Sequence, residues 1–279
     1  MTIEKATQRN LYSVFGSGKE FAMMREGKVR AQGPFRHPIL AGCAGATALP
    51  FALYTYGYLS RLQGVAGIAS CLMVVFACSS SGPLAAFAVS LFAAFFWPHR
   101  IHLKKLLWFS VFFGLAYWVI KGRGPWFLMA SIDLVGGSTG WHRAQLIDQG
   151  FNYLDEWWLW GTDYTRHWMA TGVSWSPDHV DMTNYFLHLG TMVGLLPILL
   201  LMYLIGLAFR NGLACVKAVY PVSRGDAFLV WCGLGALAAH VISFASISYF
   251  DQMYALFFLL LASLLTIRST DATTGSESA

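Results

Sequence analysis

Long apolar segments alternate with short polar turns along most of the chain. A helix needs about 20 apolar residues to cross about 30 Å of hydrocarbon. The apolar segments cover residues 38–60, 64–80, 83–97, 105–121, 184–209, 226–247 and 251–267. The pattern predicts an all-α, multi-pass transmembrane helical bundle of about seven spans. The second and third segments form either a tight hairpin or one broken element.

Three polar regions divide the chain around these segments. The predicted parts are an N-terminal segment, four spans, a long exported loop, three spans and a disordered tail. They cover residues 1–37, 38–121, 122–183, 184–268 and 269–279.

Charge and composition change this picture in one respect, the orientation. The chain is 56% hydrophobic and 12% charged, with a net charge of +5. Its basic residues are dispersed along turns, which indicates topology signals and excludes a nucleic-acid interface. Placing residues 1–37 and 122–183 outside puts a basic residue at every short turn on the cytoplasmic side. We expect this orientation, although the basic N-terminal segment favours the opposite one.

The outside orientation makes the N-terminal segment unusual. A basic tail of 37 residues without a signal peptide would have to be exported on its own. We therefore expect a chain that continues a larger architecture, whose first spans precede Met1.

Candidate cofactor sites are not evident in the sequence. The five cysteines lie in or beside apolar segments, without the spacing of metal ligands. The glycine-rich stretch 136–140 lacks the lysine and the preceding strand of a nucleotide-binding loop. We expect neither a metal nor another cofactor.

The exported loop contains a predicted amphipathic helix between Gly140 and Gly161. Four apolar residues at 4-3-4 spacing share one face: Ile147, Phe151, Leu154 and Trp158. We expect this helix to lie at the membrane interface. Its tryptophans, Trp157 among them, either anchor the loop at that interface or stack on sugar rings.

Arg143 lies on the apolar side of the same predicted helix, four residues before Ile147. A guanidinium directed at a membrane bundle needs an anion. Two interpretations stay open. Arg143 either snorkels or pairs with Asp133 or Asp148, or it donates a fork of hydrogen bonds to a diphosphate.

A second group of cations precedes the first apolar segment, in the stretch RAQGPFRHPI. Arg30 and Arg36 are either interfacial anchors or ligands of the same anion as Arg143. The predicted orientation places all three arginines on one side of the membrane.

The entry to the fifth segment is the third polar cluster. It contains His179, Asp181, Thr183 and Asn184. Asp181 or Thr183 is the expected N-cap of the following helix, and His179 has the chemistry of a general base. His188, one turn deeper than Asn184, is expected to be a polar residue satisfied inside the bundle.

These motifs occur in a recognisable order. Together they resemble the O-antigen ligase and polymerase superfamily of bacterial membrane glycosyltransferases, over residues 30 to 267. The residues that carry the resemblance are Arg30, Gly33, Phe35, His37, Pro38, Arg143, Trp157, Gly161, Thr162, Asn184, Tyr185, Leu187, Gly190 and Gly194.

The resemblance implies transfer of a glycan from undecaprenyl diphosphate to a glycan or lipid acceptor, without metal, at the periplasmic face of the inner membrane. It implies diphosphate binding by Arg30 and Arg143, aided by Arg36, Asn184 and Trp157. Many members place histidine directly before the asparagine, where this chain has Thr183.

Thr183 leaves the catalytic base open. Either His179 or Asp181 takes that role, or base catalysis is lost. The alternative function is non-enzymatic: a component that transports polysaccharide or lipid-linked sugar, or an inactive fragment of the same scaffold. Transporters are expected to place ionisable groups at mid-membrane depth. Only His240 and Asp251 favour transport on this criterion.

Overall fold

The computed structural model describes residues 1–16, 19–25, 27–131, 140–174 and 176–267. These ranges are mostly helical, with a single two-stranded antiparallel sheet. The predicted disordered tail 269–279, Asp133, most of the glycine-rich stretch 136–140 and Trp175 lie outside the described residues.

The helices follow the chain in simple order. They are α1 (Thr2–Thr7), α2 (Pro38–Tyr54), α3 (Arg61–Ala77), α4 (Ser81–Phe96), α5 (Leu103–Lys121), α6 (Gly140–Asn152), α7 (Leu154–Trp157), α8 (Tyr185–Val193), α9 (Leu195–Val219), α10 (Arg224–Phe244) and α11 (Gln252–Thr266). Strands β1 (Met23–Arg25) and β2 (Lys28–Arg30) form a hairpin in which Met23 lies opposite Arg30.

Shorter helical turns connect these elements. Four are 3-10 helices, Leu11–Phe15, Trp97–His102, Pro125–Ser131 and Arg166–Met169, and Thr55–Leu59 is a π-helical turn.

Four helical stretches are long and apolar enough to cross a membrane, which indicates a membrane protein. They are Pro38–Leu59, Ser81–Lys121, Leu195–Val219 and Arg224–Phe244. All seven predicted apolar segments are helical, but α3 and α11 have only 17 and 15 residues. Ser81–Lys121 has 41 residues, about twice the number that one crossing needs. The count of seven spans therefore stays a prediction.

The apolar segment 184–209 is not one helix, contrary to the prediction. It breaks at Gly194, whose φ of 93° lies in the region that favours glycine. Gly194 ends α8, and the amide of Leu195 donates a hydrogen bond to the Trp158 carbonyl at 2.8 Å. The loop before the segment thus supplies a hydrogen-bond acceptor for a backbone amide that the helix break leaves without a helical partner.

The chain divides into two compact units. The first contains Met1–Phe95, Leu201–Ser243 and the residues from Tyr249 onward; the second contains Phe96–Leu200 and Phe244–Ser248. Small side chains form one core of the first unit: Ala46, Val75, Ala86 and Ala239. Such residues let helix backbones approach closely in an apolar environment.

The core of the second unit is built from larger side chains. It contains Leu146, Trp157, Trp168, Met169, Val180, Leu187 and Ile198. These residues come from α6, α7, the turn Arg166–Met169, the following loop, α8 and α9. The polar loop of the sequence is therefore a folded body with its own apolar core.

The predicted loop helix is shorter than its spacing suggested. Helix α6 ends at Asn152 and Tyr153 separates it from the four-residue α7. Phe151 and Trp158, on the predicted apolar face, are 59% and 50% exposed. The buried face carries Arg143, Ala144, Leu146 and Gly150 instead. Its position at the membrane interface stays a prediction.

Candidate functional site

The Arg30 loop, residues 30–37, joins the β-hairpin to the first long helix. His37 caps α2: its Nδ1 accepts a hydrogen bond from the Ile39 amide at 3.1 Å, and Pro38 fills the first helical position. Proline suits that position because its missing N–H would have no helical partner. The local sequence thus fixes where the loop ends.

Arg30 is a buried cation with few partners. It is 5% exposed, and its Nε donates a long hydrogen bond of 3.4 Å to the Cys78 carbonyl. Within the described ranges, its Nη2 has no hydrogen-bond partner. Burial, and to a smaller extent the charge of Arg25, lowers the pKa of Arg30. A guanidinium in this environment has an unmet need for an anion.

His37 shares this environment. Burial, and then the charge of Arg30, lowers the pKa of His37 to about 4. The ring is therefore neutral at pH 7. Because Nδ1 accepts from Ile39, Nε2 carries the proton and remains a donor.

Arg36 lies in a different environment from Arg30. Its side chain is 66% exposed and its Nε lies 3.4 Å from Asp251 Oδ2. Exposed pairs of this kind contribute little to stability. Asp251, a residue that the transport alternative used, is thus accounted for by a surface ion pair.

In the second unit, Arg143 is buried in the first turn of α6 and is 7% exposed. Its neighbour His142 has Nε2 3.2 Å from the Asp181 carbonyl oxygen. A carbonyl can only accept, so Nε2 is the donor and, in the neutral ring, Nδ1 has the lone pair. The neutral ring of His142 therefore offers Nδ1 as an acceptor. Sequence reasoning missed it, because its partner is a backbone group 39 residues away.

His179 contacts Thr165 in the same unit. Its Nδ1 lies 3.3 Å from Thr165 Oγ1, and the same oxygen accepts from the Val180 amide at 3.2 Å. A hydroxyl oxygen can accept two hydrogen bonds and donate one, so this contact fits either tautomer of His179.

The entry to α8 is capped by Asn184, and the predicted caps Asp181 and Thr183 are wrong. Asn184 Oδ1 accepts from the Leu187 amide at 3.1 Å, three residues into the helix, as an N-cap does. The backbone carbonyl of Asp181 accepts from the Thr183 amide at 3.0 Å. The buried Thr183 Oγ1 has no hydrogen-bond partner within the described ranges.

Trp157 lies in the core of the second unit, 3% exposed. Its Nε1 donates to the Gly150 carbonyl at 2.9 Å, and its ring packs against Gly190. These contacts give it a packing role; stacking on a sugar stays a prediction.

His240 lies in α10 of the first unit, 2% exposed. Its Nδ1 lies 2.8 Å from the hydroxyl of Tyr249, and its ring meets Tyr249 and Phe257 edge-on. A satisfied hydrogen bond inside an aromatic cluster explains this histidine structurally.

The predicted site residues are divided between the two units. Arg30 and Arg36 belong to the first unit; Arg143, Trp157, His179, Asp181 and Asn184 belong to the second. The second unit brings His142, beside Arg143, against the Asp181 backbone. In the described ranges, no group of three His, Cys, Asp or Glu side chains is placed to hold a metal ion.

The sequence matches no protein-family model, and a comparison with curated proteins finds no significant match. The superfamily resemblance therefore rests on the motifs and on their order along the chain.

Proposed function

We propose that this protein is an inner-membrane glycosyltransferase of the O-antigen ligase and polymerase type. It moves a glycan from undecaprenyl diphosphate to a glycan or lipid acceptor at the periplasmic face. The observation that carries this proposal is the buried guanidinium of Arg30, outside the spans, with an Nη2 that lacks a partner among the described residues. Such a group fits a phosphoryl oxygen, and arginine is well suited to phosphate recognition.

Arg30 would hold the diphosphate through its buried guanidinium. In the transfer step, the acceptor hydroxyl oxygen attacks the anomeric carbon of the donor sugar. The bond between that carbon and the diphosphate oxygen breaks, and its electron pair leaves with the diphosphate. Arginine side chains stabilise the charge that develops on this leaving group, which is the main catalytic contribution expected in such a reaction.

The proton of the acceptor hydroxyl leaves to water or to a protein base. Within the second unit, His142 is a candidate base beside the expected His179 and Asp181. In the neutral His142 ring, Nδ1 has the lone pair, because Nε2 donates to the Asp181 carbonyl at 3.2 Å. Asp181 would then position His142 through its backbone.

The alternative of a transporter has weaker support. Its main candidate, His240, is accounted for by the hydrogen bond to Tyr249. If the protein is a transporter, His240→Gln abolishes movement of lipid-linked glycan. If it is a transferase, the same variant keeps glycan transfer.

A release assay tests the proposal. The purified protein is reconstituted with a polyprenyl-diphosphate-linked glycan and envelope extract from the source bacterium as acceptor, and free undecaprenyl diphosphate is measured. We expect release by the wild type, loss with Arg30→Ala or His142→Ala, and normal release with Arg61→Ala, an exposed arginine at the start of α3. Intact donor after incubation with the wild type would contradict the proposal.

A further inference from the structure

Two buried donors without partners lie close together in the sequence of the Arg30 loop. Arg30 is 5% exposed and Gln32 is 1% exposed. Within the described ranges, Arg30 Nη2 and Gln32 Nε2 both lack a hydrogen-bond acceptor. Buried polar atoms are nearly always satisfied, so two orphan donors in one loop indicate a ligand with at least two acceptor oxygens.

The N-terminal helix α1 holds this loop in place. Glu4 is buried, and its carboxylate accepts hydrogen bonds from the amides of Gln32 and Gly33, both at 2.9 Å. Asn10, just after α1, donates from Nδ2 to the Gly33 carbonyl at 3.1 Å. The backbone that carries the Gln32 side chain is therefore fixed by residues that lie more than 20 positions earlier.

Helix α1 also reaches the other side of Arg30. Lys5 Nζ donates to Ser79 Oγ at 2.8 Å, in the turn whose Cys78 carbonyl accepts from Arg30. Ser79 has a φ of 46°, a left-handed conformation that is costly for serine and that this contact helps to hold. Consecutive residues Glu4 and Lys5 thus contact the Arg30 loop and the turn whose Cys78 carbonyl accepts from Arg30.

The charges around the loop favour an anion. Lys5, Arg25 and Arg30 are cations near the turn, and both Lys5 and Arg30 act electrostatically on the Cys78 thiol. The nearby carboxylate, Glu4, is already engaged by two backbone amides. A ligand for the two orphan donors must supply acceptor oxygens, and the cations near the turn favour a negatively charged one such as a phosphoryl group.

We propose that Gln32 is a second ligand of the phosphoryl group that Arg30 holds, and that α1 builds this site by fixing Gln32 through Glu4. The inference rests on the proposed function for the identity of the ligand, undecaprenyl diphosphate. It adds Gln32 as a binding residue and Glu4 as a positioning residue, neither of which the sequence motifs indicate.

Substitution of Gln32 with Leu separates binding from folding. Leucine has a similar size and removes the unsatisfied donor, so the melting temperature of the ligand-free protein stays equal or rises. Affinity for undecaprenyl diphosphate, measured by thermal shift in maltoside micelles, falls about tenfold or more, the loss expected for one hydrogen bond to a charged group. The matched control is Gln63→Leu, at an exposed glutamine of α3; it keeps wild-type affinity.

Gln32→Glu keeps the inference testable if the leucine variant folds poorly. The new carboxylate adds a negative charge to the Arg30 loop, so affinity for the phosphoryl ligand is lost. Wild-type affinity in either Gln32 variant would overturn the assignment of Gln32.

A double-mutant cycle tests the role of Glu4. Glu4→Ala should weaken undecaprenyl diphosphate binding, Glu4→Asp should restore part of it, and adding Gln32→Leu to Glu4→Ala should cause little further loss. Fully additive losses would show that Glu4 does not act through Gln32.

The choice of probe separates this inference from the proposed function. Undecaprenyl diphosphate that binds the wild type and not Gln32→Leu supports the site, even if the release assay shows no glycan transfer. Tighter or equal binding of phosphatidylglycerol supports a phosphoryl site but overturns undecaprenyl diphosphate as its ligand. If neither lipid nor inorganic diphosphate shifts the melting temperature of the wild type, the site is wrong.

Discussion

Arg166 begins a 3-10 helical turn and Arg30 ends strand β2, and their guanidinium groups differ in hydrogen bonding. Arg166, in the second unit, donates from Nη1 and Nη2 to the carbonyls of Met169, Gly172 and Ala170, at 3.3, 2.9 and 2.7 Å. The Arg30 side chain, in the first unit, makes a single long hydrogen bond of 3.4 Å within the described ranges, although it is the more buried. The first arginine closes a loop, and the second has donor capacity left for a ligand.

The difference shows a criterion that separates structural polar residues from binding residues: whether their buried donors and acceptors have hydrogen-bond partners in the protein. Asn184 caps α8 and His240 bonds to Tyr249, so each is explained by its contacts. Arg30 and Gln32 carry buried donors that the described residues leave unsatisfied. A buried donor without a partner lowers the stability of the fold. Two such donors in one loop therefore indicate a bound ligand rather than a structural role.

The largest effect is expected from Arg30→Met, which should remove ligand binding and leave folding intact. Methionine fills similar space without a charge, and a hydrogen bond to a charged group contributes about 1.5–3 kcal/mol. We therefore expect affinity for undecaprenyl diphosphate to fall about 10- to 150-fold, measured by thermal shift in micelles. A melting temperature that falls with unchanged affinity would place Arg30 in the same structural class as Arg166.

The pH dependence of stability tests the environment of Arg30 through His37, whose pKa is lowered by burial and by the charge of Arg30. Its pKa is about 4 in the fold and 6.5 as the reference value, so the unfolded chain binds more protons between these pH values. Stability is full above about pH 6.5 and falls as the pH drops toward 4, by at most about 3 kcal/mol.

His37→Asn should remove this dependence while asparagine keeps the cap on α2. The measurement is the melting temperature of both proteins from pH 4 to pH 8. Parallel curves for the variant and the wild type would mean that His37 does not titrate across this range.

Arg166→Met should have the reverse effect of Arg30→Met. Three carbonyls lose a charged donor, so we expect the second unit to be destabilised by about 1–3 kcal/mol. Affinity for undecaprenyl diphosphate should stay at the wild-type value. Melting temperature and ligand-induced shift, taken from the same samples, check both statements; a selective loss of affinity would refute the structural role.

The smallest effects separate two neighbouring residues at the entry to α8. Asn184→Ala removes the N-cap and should cost about 1 kcal/mol. Thr183→Val removes a hydroxyl whose buried oxygen lacks a partner in the described ranges, so stability should be unchanged or slightly higher. Thermal unfolding of the two variants tests this order, and a larger loss with Thr183→Val would indicate a contact that the structure does not contain.

The apolar periodicity predicted the helices well, because a run of apolar residues bounded by polar turns has few alternatives in a membrane. It failed at Gly194, where a glycine with positive φ breaks an otherwise apolar run. It also failed after Asn152, where packing of Trp157 against Gly150 and Gly190 outweighs the helical spacing.

The site was predicted less completely, since side-chain chemistry depends on partners distant in sequence. The Arg30 motif was visible in the sequence, and its burial supports a binding role. Gln32 and Glu4 were not visible, because their contact joins residues 28 positions apart. The donor role of His142 Nε2 depends on the Asp181 carbonyl, 39 positions away, so no local pattern could reveal it.

The distance between arginine nitrogen and ligand phosphorus tests the central claim most directly. The protein is labelled with ¹⁵N-arginine, bound to undecaprenyl diphosphate in phosphate-free maltoside, and studied frozen by ¹⁵N–³¹P dipolar dephasing. We predict a guanidinium signal dephased by phosphorus at hydrogen-bonding range, which disappears in Arg30→Met and persists in Arg166→Met. Dephasing that is unchanged in Arg30→Met, or lost in Arg166→Met, would contradict a phosphoryl site at Arg30.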